Sequence, residues 1–200
     1  MIHVLYQKDW IRDEWSTELY QAHKHENFTL LDQYLDKPPR TILDIGCGLA
    51  WESRMFNERY GTRLWLMDGD FEDNAQDRVL KQARYCPDAK DFAFYYRLDQ
   101  LRLELDRLQT KNYQLIDCNS IDLDPDLKFD LITSWVSCGF HYPVSTYRDL
   151  IKKHSHNDTV IVMDLRVPSK SKQPIVESDV EILHVINRRA KYLTCRIGVK

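Results

Sequence analysis

Short apolar runs recur along the chain, separated by stretches in which apolar residues return every third or fourth position. Thr41–Ile45, Arg63–Met67, Tyr113–Ile116, Phe129–Thr133 and Thr159–Leu165 are the short runs, and they predict buried strands. Trp51–Tyr60 follows the first of them and predicts a helix. Phe28, Leu31 and Leu35 fall at helical spacing within residues 1–36, and Pro38-Pro39 stops that helix. Leu98, Leu101, Leu105 and Leu108, with charges between them, predict an amphipathic helix packed on the sheet. Pro143 suits the first turn of a helix over residues 143–154. Strands alternating with helices imply a mostly parallel sheet.

The tail changes character. Val180–Asn187 and Tyr192–Gly198 alternate apolar and polar residues around Asn187-Arg188-Arg189-Ala190-Lys191, which predicts an antiparallel hairpin. A polar loop, Pro168–Ser178, precedes it. Two hundred residues suit one α/β domain with a sizeable core. Its expected parts are an N-terminal helical lid or cap over 1–38, a core over 40–165 and the hairpin over 179–199.

Composition narrows the partners. Lys and Arg number 28 against 31 Asp and Glu, a net charge of −3, so no basic footprint for nucleic acid is expected. The five cysteines, Cys47, Cys86, Cys118, Cys138 and Cys195, form no Cys-x-x-Cys pair. Their odd number argues for free thiols in a reducing cytoplasm over a disulfide or zinc framework. No signal peptide opens the chain and no apolar run reaches the length of a membrane span, so no membrane partner is expected.

The most informative segment joins the first strand to its helix: Leu43-Asp44-Ile45-Gly46-Cys47-Gly48-Leu49-Ala50. Glycines permit a tight turn and let the main chain approach a ligand. A pyrophosphate at this turn would be repelled by Asp44, whereas an ammonium or sulfonium group would be attracted. Asp-x-Gly-x-Gly at a strand end therefore suits S-adenosyl-L-methionine better than NAD. A second acidic site, Asp68-Gly69-Asp70, closes the second strand, 22 residues after Gly46 (68 − 46). That spacing matches a ribose-binding acid in a unit of this kind.

These residues resemble the class I S-adenosylmethionine-dependent methyltransferases over about residues 40–165. The resemblance implies a Rossmann-like, mostly parallel seven-stranded sheet ending in an antiparallel hairpin, with helices on both faces. Ala50 stands where the family's motif has its third glycine. The resemblance places Asp44, Gly46, Cys47 and Gly48 at the methionine end of the cofactor. It places Asp68 on the ribose, with Gly69 beside it and Asp70 as the rival. The stretch after the third strand flanks the adenine, which points to Asn119, Ser120 and Ile121, with Asp117 as the rival or as a turn cap.

The segment after the fourth strand, Ser134-Trp135-Val136-Ser137-Cys138-Gly139-Phe140-His141-Tyr142-Pro143, falls where the family contacts both cofactor and acceptor. Ser134 and Trp135 are expected on the cofactor, and an aromatic face there favours a cation. His141 and Tyr142 are the candidate catalytic bases, against the plainer reading that they hold the turn or fill the core. The Asp/Asn/Ser-Pro-Pro-aromatic signature of base-amine methylation is missing from this segment, and no Pro-Cys pair suited to cytosine attack occurs.

Methyl transfer to a small-molecule hydroxyl is therefore expected, from a monomer or homodimer. A binding protein without turnover and a partner-dependent enzyme acting on protein or nucleic acid are the competing readings. Trp10, Trp15, Tyr20, His23, His25 and Phe28 form an N-terminal aromatic group that suits either a lid or a patch against the sheet edge. His23-Lys24-His25 does not suit a metal, because alternate residues point to different helix faces.

Overall fold

The structure is a computed structural model that describes residues 17–69, 97–168, 171 and 173–200. Trp10, Trp15, Asp70 and Cys86 lie outside the described residues.

Helix α1 (Glu18–Tyr34) opens with the Thr17 hydroxyl accepting from the Tyr20 N–H at 3.1 Å, which satisfies one of the free first-turn donors. It closes before Pro38-Pro39. Strand β1 (Thr41–Ile45) leads through the glycine turn to α2 (Trp51–Tyr60), which ends at Gly61 in the left-handed conformation common after a helix. Strand β2 (Arg63–Asp68), helix α3 (Leu98–Arg107) and strands β3 (Tyr113–Asp117) and β4 (Phe129–Ser134) follow. A single 3-10 turn, Val144–Thr146, and the short helix α4 (Arg148–Lys153) lead into β5 (Ser155–Arg166). Strands β6 (Val180–Arg188) and β7 (Tyr192–Val199) complete a seven-stranded sheet of order β3-β2-β1-β4-β5-β7-β6.

β1 to β5 are parallel, and β7 runs antiparallel to both β5 and β6. The hairpin thus forms as predicted, but β7 inserts beside β5 and leaves β6 on the edge. Register aligns Ile45 with Met67 and Asp68 with Asp117, so the carboxyl ends of β1, β2 and β3 share one rim.

Side chains alternate across each strand and divide the core. Ile42, Leu64, Leu66, Leu131 and Val162 pack on one face with Phe28 and Leu31 of α1, Phe56 of α2, and Leu101 and Leu105 of α3. Leu43, Ile45, Trp65, Met67, Ile132 and Met163 pack on the other with Val144 and Ile151 of the 3-10 turn and α4. Each fully buried Phe or Leu in these layers contributes about 1.5–3 kcal/mol. Helices therefore cover both faces, as the Rossmann-like reading implied. Asp44 shares the parity of Ile42 and so faces the α1 layer.

The helix predicted over 143–154 is broken. Pro143 is extended, with φ −66° and ψ 150°, and does not enter the first turn. The Glu177 carboxylate accepts from the Val144 N–H at 2.6 Å and the Ser145 N–H at 3.1 Å, fixing a tight turn. Tyr147, at φ −120°, then sets its ring edge-on to Tyr142 and interrupts the helical path. The chain regains extended structure at Ser155, four residues before the predicted strand. Among the described residues no helix is long and apolar enough to cross a membrane.

Candidate functional site

The glycine turn lies on the rim of the sheet. Gly46 (φ +67°) and Gly48 (φ +54°) are both left-handed, and so is Ala50 (φ +50°), which holds a conformation that favours glycine. The Gly46 and Cys47 N–H groups both donate to the Met67 carbonyl, at 2.7 and 3.0 Å, tying the turn to the end of β2.

Asp68 stands across this turn. Its Oδ2 accepts from the Gly48 N–H at 2.9 Å and its Oδ1 from the Gly69 N–H at 2.8 Å. The Cys47 thiol lies 3.9 Å from Asp68 Oδ2, and burial, then the Asp68 charge, hold it protonated. The Cys118 N–H donates to the Asp68 carbonyl at 2.8 Å, which brings the end of β3 alongside. There the Asp117 carboxylate accepts the Asn119 N–H at 2.8 Å, so Asp117 caps the turn, and Asn119, Ser120 and Ile121 are exposed along the rim.

Asp44 is fully buried on the α1 face. Its Oδ2 accepts from the Ser53 hydroxyl at 2.6 Å, while its Oδ1 has no partner among the described residues. Burial pushes this carboxyl up to about 7 against the pull of the Ser53 bond. Beside it Glu52 Oε1 accepts from Lys24 Nζ and Asn27 Nδ2 of α1, both at 3.0 Å. Asp164, near the end of β5, is buried on the same face. It accepts the Val136 N–H at 3.0 Å and the Thr194 hydroxyl at 2.6 Å, and burial pushes it too up to about 7.

The segment after β4 is wound tightly between these groups. Ser134 is buried; its hydroxyl donates to the Ile45 carbonyl and accepts the Cys138 N–H, both at 2.7 Å, so it splices this loop to β1. Val136 is left-handed at φ +52°, a strained state for a β-branched residue, and the Asp164 carboxylate holds it there. Trp135 packs in the α1-side core, and its indole N–H has no partner among the described residues.

The two candidate bases part company. The Tyr142 hydroxyl lies 2.7 Å from Ser137 Oγ and 3.3 Å from the place of a Cβ on Gly46, so it adjoins the glycine turn. Burial, reinforced by Tyr147 and Cys138, keeps it protonated far above the usual phenol range. His141 instead stands edge-on to Phe140, whose ring carries the Arg166 guanidinium at 5.0 Å. Burial, then Arg166, lowers His141 to about 3, so it is neutral at physiological pH.

Lys24 and Asn27 went unremarked in the sequence as site residues. Their signal lies in the helical stripe itself, since Lys24 is four residues before Phe28 and Asn27 four before Leu31, polar side chains on a core-facing row. Among the described residues no group of three His, Cys, Asp or Glu side chains is arranged to hold a metal ion.

A parallel β3-β2-β1-β4-β5 sheet closed by a β7-β6 hairpin, with an Asp-x-Gly-x-Gly turn after β1 and an acid ending β2, makes up a Rossmann-like fold. Solved structures share it. MtNAS in complex with MTA and tNA matches at a TM-score of 0.58 and 12% identity, over 93% of this chain and 63% of that one. A mutant of MtNAS in complex with S-adenosylmethionine matches at 0.56 and 13%, over 96% and 68%. A SAM dependent methyltransferase from Aquifex aeolicus matches at 0.55 and 14%, over 84% and 87%. At such identities the likeness is one of fold, and the chain spans less than two thirds of the first of these proteins. No family model and no curated protein matches the sequence.

Proposed function

We propose that this chain binds S-adenosyl-L-methionine and transfers its methyl group to a small molecule. The observation that carries the reading is a pair of carboxylates, Asp44 and Asp68, on neighbouring strands on either side of a left-handed Gly46–Gly48 turn. A dinucleotide's pyrophosphate would meet Asp44, whose free Oδ1 suits a cationic group instead. The solved MtNAS mutant binds S-adenosylmethionine within the same fold, which supports the assignment.

In this reading Asp68, at the end of β2 against the glycine turn, accepts the ribose hydroxyls. The rim at Asn119, Ser120 and Ile121 borders the adenine, and Asp44 faces the methionine end. Ser134 sets the loop in place, and Trp135 walls the cleft. When bound, the cofactor supplies a methyl group already activated by its positive sulfur. The protein's task is then to align the acceptor and exclude water.

For the acceptor we propose a hydroxyl that is already acidic, such as a phenol or enol. Neutral, half-buried His141 is a weak base, and Tyr142 keeps its proton, so neither readily deprotonates an aliphatic alcohol. Tyr142, at the glycine turn, can hydrogen-bond and orient an acceptor oxygen. The four free thiols among the described residues suit a reducing, cytoplasmic setting.

Transfer of labelled methyl from S-adenosylmethionine to a panel of phenols, alcohols and amines tests the reading. Transfer to phenols above alcohols supports it. Tight cofactor binding without transfer to any acceptor supports the binding protein instead.

A further inference from the structure

The rim that carries the glycine turn is polarised. Asp68 and Asp117 end β2 and β3 at one side, while Arg166 ends β5 at the other, where the β6–β7 turn adds Arg188, Arg189 and Lys191. Antiparallel pairing brings that turn to the rim: Arg166 stands opposite Tyr192, the first residue of β7, and the Val167 N–H donates to the Lys191 carbonyl at 2.8 Å. Arg189 is paired with Glu26 of α1. The half-buried Arg166 guanidinium and the exposed Arg188 and Lys191 have no carboxylate partner among the described residues. Asp164, two residues before Arg166, accepts instead from the Val136 N–H and the Thr194 hydroxyl. Burial pushes the Tyr192 phenol up to about 12, so it adds no negative charge. Arg166 is also held in place. Its guanidinium lies 5.0 Å from the centre of the Phe140 ring, Phe140 meets Tyr192 edge-on at 5.9 Å, and the Arg166 N–H donates to the Gly139 carbonyl at 3.1 Å. A guanidinium over an aromatic face keeps its planar fork of donors for a carboxylate or phosphate.

We propose that Arg166, held over Phe140, receives an acid group of the methyl acceptor, a carboxylate or a phosphate, while Arg188 and Lys191 add positive field beside it. The proposal rests on the methyl-transfer reading above and names its substrate class: a small hydroxylated aromatic acid. The layout of the rim supports it. β5 lies two strand spacings from β1, roughly 10 Å, and the loop after β4 carries Tyr142 to the glycine turn and Phe140 to Arg166. An acceptor whose hydroxyl meets Tyr142 can therefore set a second group on Arg166. A macromolecular polyanion fits less well, because the chain as a whole carries a net charge of −3. Arg166 acts here on specificity and orientation, and moves no proton.

The test is calorimetric titration of the full chain, loaded with S-adenosylhomocysteine, with para-hydroxybenzoate, para-hydroxyphenyl phosphate and the neutral para-hydroxybenzamide. One of the two acids should bind about tenfold or more tighter than the amide, and the tighter acid identifies the anion. Arg166→Gln should weaken that acid about tenfold and change the amide and S-adenosylhomocysteine less than about twofold. Retained S-adenosylhomocysteine binding shows that the variant is folded. Where Arg166→Gln fails to fold, Arg166→Lys, which keeps the charge and loses the fork, should still weaken the acid about threefold or more. Equal binding of acids and amide, no binding of either acid, or a preference that survives in folded Arg166→Gln overturns the role of Arg166 and leaves the cofactor reading standing. A single-stranded oligonucleotide that binds more tightly than both acids, and loses affinity in Arg166→Gln, overturns the small-molecule assignment in favour of a polyanion. Failure of wild type to bind S-adenosylhomocysteine overturns both readings.

Discussion

Ser137 Oγ occupies the space that a side chain on Gly46 would need: a Cβ built there lies 1.9 Å from that oxygen and 3.3 Å from the Tyr142 hydroxyl. The loop after β4 therefore rests directly on the glycine turn after β1. Gly46→Ala would add this clash to a left-handed φ that costs an L-residue about 1–2 kcal/mol. The variant should lose at least that much stability and bind S-adenosylhomocysteine at least tenfold more weakly. Ser137→Gly should recover part of the loss in the double variant, because the two sites touch. Chemical denaturation of the four proteins reads the coupling.

Ala50 makes the opposite prediction. It sits at φ +50°, the position of the third glycine in the related motif, with no side-chain cap. Ala50→Gly relieves about 1–2 kcal/mol of left-handed strain and gives back about 0.4–1 kcal/mol through the freer unfolded chain. A net gain of up to about 1.6 kcal/mol is expected in a thermal melt, each kcal/mol raising Tm by about 2–4 °C for a domain of this size.

Lys24 and Glu52 form a buried pair, and removing one partner strands the other charge. Lys24→Met should cost about 3–5 kcal/mol, while Lys24→Met with Glu52→Met should recover most of it. Urea midpoints of the single and double variants check this.

Asp44 and Asp164 give the pH dependence. Burial raises both to about 7, so the folded state holds their protons more tightly than the unfolded chain does. Their contribution to stability is full below pH 4, the unfolded range, and falls as pH rises towards and through 7. Lys24, facing them from α1, stays charged throughout, since its pKa is raised. Urea midpoints should drop between pH 5 and pH 8, and Asp164→Asn should flatten the drop. Binding an ammonium-bearing ligand at Asp44 should release a proton below pH 7, visible as a dependence of the binding enthalpy on buffer.

The strand pattern was legible because buried parallel strands are short, continuous apolar runs. Thr41–Ile45 and Phe129–Thr133 emerge as read, the latter gaining one residue. The acids at the strand ends were legible because Asp44 and Asp68 interrupt apolar runs next to glycine. What the pattern hid is tertiary. Tyr147 breaks a helix that local spacing favours, because its ring packs against Tyr142 and Glu177 caps the preceding turn from 32 and 33 residues away. His141 reads as a base in one dimension, and desolvation beside Arg166 lowers its basicity in three. Lys24 and Asn27 went unremarked as site residues, although their place on the Phe28–Leu31 stripe already put them inside.

The central claim is that the rim around Asp44, Gly46, Gly48 and Asp68 is an S-adenosylmethionine cleft. Calorimetric titration of wild type with S-adenosylhomocysteine, beside Asp68→Ala and with NAD as control, tests it most directly. Micromolar binding to wild type, weakened about tenfold or more in the variant (about 1.4 kcal/mol or more), with no binding of NAD, is the predicted result. Absence of S-adenosylhomocysteine binding to folded wild type would contradict it.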